Sequence, residues 1–140
     1  MKIERTRPRG VYVRQVPQYP GKLFAQMVTV ADAAATIHIS GTFAFDERCE
    51  LIGEGSMRLQ VRQALKNIGA CLASIGAGPA QVLRTKIYVT DIDAYVQEGH
   101  SEWLAFFGEH LPASTTVQIV RLTDPRCLVE IEAYAALGRK

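Results

Sequence analysis

The stretch from Ser56 to Ile75 constrains the fold more than any other part of the chain. Met57, Val61, Leu65, Ile68, Leu72 and Ile75 recur every three or four residues, which lines one face of an α-helix with apolar side chains. Arg58, Arg62, Lys66 and Asn67 fall elsewhere on the same wheel. Ser56 can cap the start, and Gly76-Ala-Gly78-Pro79 stops the helix with a flexible residue and then a helix breaker. A long helix with one apolar face must lie against another layer.

Strand signals around it supply that layer. Leu23–Val30 and Thr36–Ser40 read as strands with a bend at Ala31-Asp32, and Val82–Thr90 as a third. Two closing strands, Thr115–Leu122 and Cys127–Ala135, are joined by Thr123-Asp-Pro-Arg126. A second helix is expected from Asp93, as its N-cap, to about His110, with Val96, Trp103, Phe106 and Phe107 at helical spacing. Residues 1–10 read as a loose arm and Pro17-Gln-Tyr-Pro-Gly21 as a turn, so residues 1–21 precede the body of a single domain spanning 1–140.

The order of elements implies an α+β sheet with two helices packed on one face. The last strand shows what the other face must be. Val129, Ile131 and Ala133 point one way, while Leu128, Glu130, Glu132 and Tyr134 point the other. A face that mixes apolar and acidic groups suits a subunit interface holding a wet cleft, so a homo-oligomer with its ligand site between subunits is expected.

Composition excludes several classes. With 48% hydrophobic and 21% charged residues the chain is globular rather than disordered. The net charge is +2 and the basic cluster is Arg5, Arg7 and Arg9, too little for a nucleic-acid surface. No apolar run approaches the roughly 18 residues of a membrane span, and the start has no signal-peptide core. Cys49, Cys71 and Cys127 are odd in number and lack a Cys-x-x-Cys pair, and His38, His100 and His110 sit at no metal-ligand spacing to them. A reduced, cytoplasmic protein without a structural metal is the reading, with the cysteines as core or surface thiols.

Six stretches carry a resemblance. Ile39-Ser-Gly-Thr-Phe43, Gln63-Ala-Leu-Lys-Asn-Ile68 and Lys86-Ile-Tyr-Val-Thr-Asp91 come first. Trp103-Leu-Ala-Phe-Phe107, Leu111-Pro-Ala113 and Val129-Glu-Ile-Glu-Ala133 follow. In joint order and spacing they resemble the RidA/YjgF family, the reactive-intermediate deaminases or Rid proteins, over about residues 22 to 137. The resemblance implies a chorismate-mutase-like fold and a homotrimer with clefts between neighbouring subunits. It also implies cofactor-free and metal-free hydrolysis of enamines and imines to ammonia and a keto acid.

Residue by residue, the resemblance makes Glu132 the glutamate that orients water, and Ser40 and Gly41 the strand-end pair beside the substrate. Phe24 stands where a tyrosine is frequent, His100 where an asparagine is, and Thr116 where a cysteine is. Ser114 stands where deaminating members carry an arginine that forks onto the substrate carboxylate. A serine has no charge, and losing both contacts would weaken a 2-imino acid by about two to four powers of ten. The substrate is therefore expected to differ from a simple 2-imino acid, unless Arg14, Lys22 or Arg121 supplies a cation from elsewhere.

Plainer readings stand beside these. Glu132 on a strand's polar face can be merely solvated, and Ser40-Gly41 only a turn. Ser114 and Thr116 can be simple strand-start residues, and a helix histidine such as His100 is more often structural than an acid or base. A trimer that binds a small metabolite without turnover is the alternative function. An endoribonuclease is disfavoured for want of a basic groove or aromatic platform.

Overall fold

The computed structural model describes residues 1–12, 14, 16–20 and 23–139. Strand β1 (Lys2–Thr6) pairs antiparallel with β2 (Met27–Ala31), and β3 (Ala35–Thr42), β4 (Val82–Val89), β5 (Ala113–Gln118) and β6 (Val129–Leu137) form a four-stranded sheet in the order β3-β6-β4-β5. β6 runs antiparallel to both neighbours, and β4 and β5 are parallel. Two helical segments cross one face. The first is α1 (Met57–Ala73). The second starts as α2 (Ile92–Ala94), widens into a π turn over Tyr95–Gly99, and continues as α3 (His100–Phe107).

Helix α1 follows its stripe. Ser56 caps it, its Oγ accepting from the Leu59 N–H at 3.3 Å, and Met57, Val61, Leu65, Ile68 and Leu72 are buried. Ile75, expected inside the helix, lies past its end and is exposed, because the chain turns at Gly76 with φ +73°. The second helix is capped by Asp91 rather than Asp93: Asp91 Oδ1 accepts from the Ala94 N–H at 2.9 Å. It ends at Phe107 rather than near His110, with Gly108 taking positive φ.

The π turn packs tightly against α1. A Cβ on Gly99 would lie 2.8 Å from Tyr95 Cδ2 and 3.0 Å from Val61 Cγ2, so only glycine fits there. Trp103 and Phe107 then drop into the core with Ile87, Val89, Val129, Ile131 and Ala133. Buried Gln60 joins distant loops to this core, donating to the Gly53 and Arg126 carbonyls and accepting from the Leu128 N–H.

Within residues 1–10, expected as a loose arm, Lys2–Thr6 form a strand. Ile3 and Arg5 face inward opposite Val30 and Val28, a period-two pattern that the flanking charges disguise in the sequence. The Arg5 guanidinium ties the strand down by donating to the Leu111, Ala80 and Val82 carbonyls at 2.8–3.1 Å. Strand β2 begins at Met27 rather than Leu23, since Ala25 N–H instead donates to the Pro112 carbonyl. Strand β5 stops at Gln118 rather than Leu122, and Val120 beyond it is wholly exposed.

Candidate functional site

The sheet has a dry side and an open side, and the expected site residues divide between them. On β6 the alternation is clean: Val129, Ile131, Ala133 and Ala135 are buried under the helices, while Glu130, Glu132 and Tyr134 are half-buried on the open side. Register places Lys86 beside Glu132, Tyr88 beside Glu130, and His38 beside Tyr134.

Glu132 sits in a hydroxyl clamp. Tyr134 Oη donates to its Oε2 at 2.9 Å and Tyr88 Oη to its Oε1 at 3.4 Å. The bond to Glu132 pushes the Tyr134 phenol above its ordinary pKa. The Lys86 ammonium, 5.6 Å from the centre of the Tyr88 ring, is raised mainly by its bond to Tyr88, with the charge of Glu132 adding. The His38 ring stands edge-on to Tyr134 at 5.3 Å.

Ser40 and Gly41 lie at an irregularity in the β3–β6 ladder between Ile39 and Thr42, where the paired strands slip register. The carboxylate that abuts this kink is Glu130: a Cβ on Gly41 would collide with Glu130 Oε1. Glu130 is held above the ordinary glutamate pKa, first by burial and then by the charge of Glu132. Among the described residues no donor is bonded to it, which leaves its oxygens available to water.

The other group lies on the helix side, at the sheet edge. Ser114 pairs with Thr85 and Thr116 with Ile87, and both partners are fully buried toward the helices. Ser114 Oγ and Thr85 Oγ1 are 2.8 Å apart, and Thr85 Oγ1 accepts from Trp103 Nε1 at 3.3 Å. A cavity of about 350 Å3 opens here, lined by Phe24, His100, Ser114, Thr116, Tyr95 and Arg14 among others. His100 stacks on Trp103 at 5.2 Å and meets the Tyr19 and Tyr95 rings edge-on. Its Nδ1 lies 3.5 Å from Tyr95 Oη. Burial pushes the Tyr95 phenol far up, against a bond with Thr116 that acts the other way.

Four expected residues, Phe24, His100, Ser114 and Thr116, thus meet in one cavity, and Ser40, Gly41 and Glu132 lie on the opposite face. Arg14 lines the cavity; Arg121 is elsewhere, donating to the Leu122 carbonyl at 3.2 Å. Lys22 lies outside the described residues. Glu130 and Tyr95 were not singled out from the sequence. Strand parity alone put Glu130 on the same face as Glu132 without ranking the two, and Tyr95 reaches the cavity only through the π turn. Cys49 and Cys71 are exposed; Cys127 is buried, and burial raises its thiol. Among the described residues no three His, Cys, Asp or Glu side chains gather as a metal site. No helix of the described residues is long and apolar enough to cross a membrane.

A small α+β protein whose candidate site residues occupy the open face and the outer edge of its sheet, rather than a crevice in its core, is the class defined here. The family model described as Endoribonuclease L-PSP matches residues 20–137. A RutC family protein of Pyrococcus horikoshii is 31% identical over 99 residues, covering 71% of this chain and 77% of that protein. One from Sulfurisphaera tokodaii is 26% identical over 91% of this chain and 98% of its own. A crystal structure of a Rid-family protein of unknown function from Yersinia pestis, 30% identical, superposes with a TM-score of 0.86 over 98% of this chain and 100% of that one. The chain belongs to the RidA/YjgF family, and its sheet with two helical segments on one face is the fold of that family.

Proposed function

We propose that the protein is a cofactor-free hydrolase of an imine, enamine or related reactive C–N compound. The observation that carries the reading is Glu130, a half-buried carboxylate with a raised pKa set against the Ser40-Gly41 kink. Such a group can orient a water and take its proton as the oxygen attacks the electrophilic C=N carbon. The tetrahedral carbinolamine then expels ammonia once its nitrogen is protonated, so imine and water become a carbonyl compound and ammonia. An enamine enters the same path by accepting a proton at carbon. Glu132, clamped by Tyr88 and Tyr134, fixes the negative charge beside Glu130 and keeps that pKa up. The resemblance assigned the water to Glu132; the contact with Gly41 favours Glu130 for it.

The two groups of residues lie on opposite sides of one sheet, so a single cleft that uses both requires a neighbouring copy. The open face of one copy would meet the β5 edge of the next, in the homotrimer the resemblance implies. Ser114 brings a hydroxyl and no charge to that cleft, and the substrate differs accordingly from one held by an arginine at this position.

An assay in which an amino-acid oxidase generates imines and semicarbazide traps what is not hydrolysed tests the reading. Wild type should lower semicarbazone formation for some members of an amino-acid panel, and Glu130→Gln should not. Wild type without effect on any imine or enamine, or Glu130→Gln with full activity, would overturn it. The description of the matched family favours a second reading, RNA cleavage. Cleavage of RNA that Glu130→Gln abolishes would put that reading first.

A further inference from the structure

We propose that the cavity beside β5 takes an aromatic side chain of the ligand, which makes the ligand class a small metabolite carrying a ring away from its reacting carbon. The ring site stands by itself; its place in a reaction rests on the hydrolase reading above. Size points away from the smallest metabolites. At about 350 Å3 the cavity has room for about a dozen water-sized groups, and a three-carbon molecule would leave about half of it unfilled.

The chemistry of the wall points the same way. Leu23, Phe24, Ile92 and Val96 give it apolar surface, and Phe24, Tyr95 and His100 bring rings to it. Its hydroxyls are already engaged within the protein: Ser114 Oγ lies 2.8 Å from Thr85 Oγ1, and Thr116 is bonded to the Tyr95 phenol. No aspartate or glutamate is among the described lining residues, and the arginine there, Arg14, is exposed to solvent. What the wall leaves unspent is apolar and aromatic contact. A ligand ring can use it edge-to-face, as Tyr19 and Tyr95 already meet His100 at 4.8 and 5.9 Å.

The wall is also built before a ligand arrives. Gly99 locks the π turn that carries Tyr95 and Val96, since a Cβ there would strike Tyr95 and Val61. His100 is stacked on Trp103 at 5.2 Å, and Ala25, next to Phe24, donates its N–H to the Pro112 carbonyl at 2.9 Å. A preformed apolar wall costs its ligand little ordering, so burial of the ring should be worth about 10–100-fold in affinity.

Calorimetric titration with phenylacetamide, acetamide and acetate tests the site without requiring turnover. Wild type should bind phenylacetamide about 10–100-fold more tightly than either small probe. Val96→Phe, which fills the cavity from its own wall, should abolish that preference, and Phe24→Ala should reduce it by about 10-fold. Equal binding of phenylacetamide and acetamide, tighter binding of acetate, or an undiminished preference in Val96→Phe overturns the proposal. In the imine-trapping assay kcat/KM should be about 10–100-fold higher for the imine from phenylalanine than for that from alanine. Equal values in an active enzyme would overturn the ring site and retain the hydrolase. Ring-dependent binding in a protein that hydrolyses no imine would retain the ring site and discard the hydrolase reading.

Discussion

The two faces of one sheet are built on opposite terms. Under the helices the centre of the sheet is packed and paired: Trp103, Phe107, Ile87 and Ile131 are buried, and the buried Thr85 hydroxyl among them is bonded to both Trp103 and Ser114. On the open face Glu130 and Glu132 sit two residues apart on β6, with Lys86, Tyr88 and Tyr134 around them. Like charges held close and partly dehydrated do not stabilise a fold. The comparison teaches that stability resides on the helix side and that the proposed chemistry draws on the open side, with the β5 edge cavity as the part of the helix side that the proposal also uses.

Variants on each face can break that division. The largest effect should come from Trp103→Ala, which empties the centre of the helix side and should cost about 3–5 kcal/mol in denaturant unfolding. A loss that small surface variants also show would contradict a core concentrated there. Next is Glu130→Gln, expected to cut turnover by about 10²–10⁴-fold while leaving the unfolding midpoint at or above that of wild type. Gly41→Ala should follow at about 10–100-fold in turnover, because its new Cβ must displace the Glu130 carboxylate. Thr85→Val should cost about 1–3 kcal/mol by stranding the Trp103 N–H, with an effect on turnover only through Ser114.

The smallest effect is a pH slope. The pKa of Glu130 is raised in the fold, so the folded chain binds its proton more tightly than the unfolded chain does. Stability from this group is therefore full below the ordinary glutamate range and is lost as pH rises through the raised value. Thermal unfolding followed across that window should show the slope in wild type and its absence in Glu130→Gln. Turnover should rise over the same window as the carboxylate forms.

How far the sequence reaches depends on the face as well. Helix α1 was legible because six apolar residues repeat at one period and both ends carry stop signals. The two sides of β6 were legible because valine, isoleucine and alanine alternate with glutamate and tyrosine. Strand β1 was hidden because one of its two inward residues is the charged Arg5, between exposed Glu4 and Thr6. The orientation of β5 was illegible, since Ser114, Thr115 and Thr116 show no contrast in polarity. Only the pairing with Thr85 and Ile87 turns Ser114 and Thr116 toward the helices. The candidate site residues were named by resemblance, but their separation onto opposite faces, and the position of Glu130 at Gly41, depend on register.

Mixing two inactive variants tests most directly whether the site is divided between copies. Glu130→Gln spoils the open face and leaves the cavity intact; a Phe24→Ala, His100→Gln double variant does the reverse. Co-expressed in equal amounts in a trimer with clefts between neighbours, they should restore about a quarter of the wild-type sites, since one cleft in four pairs a native face with a native cavity. Turnover that stays at the level of the separate variants in verified mixed oligomers would contradict the account and confine the chemistry to one chain.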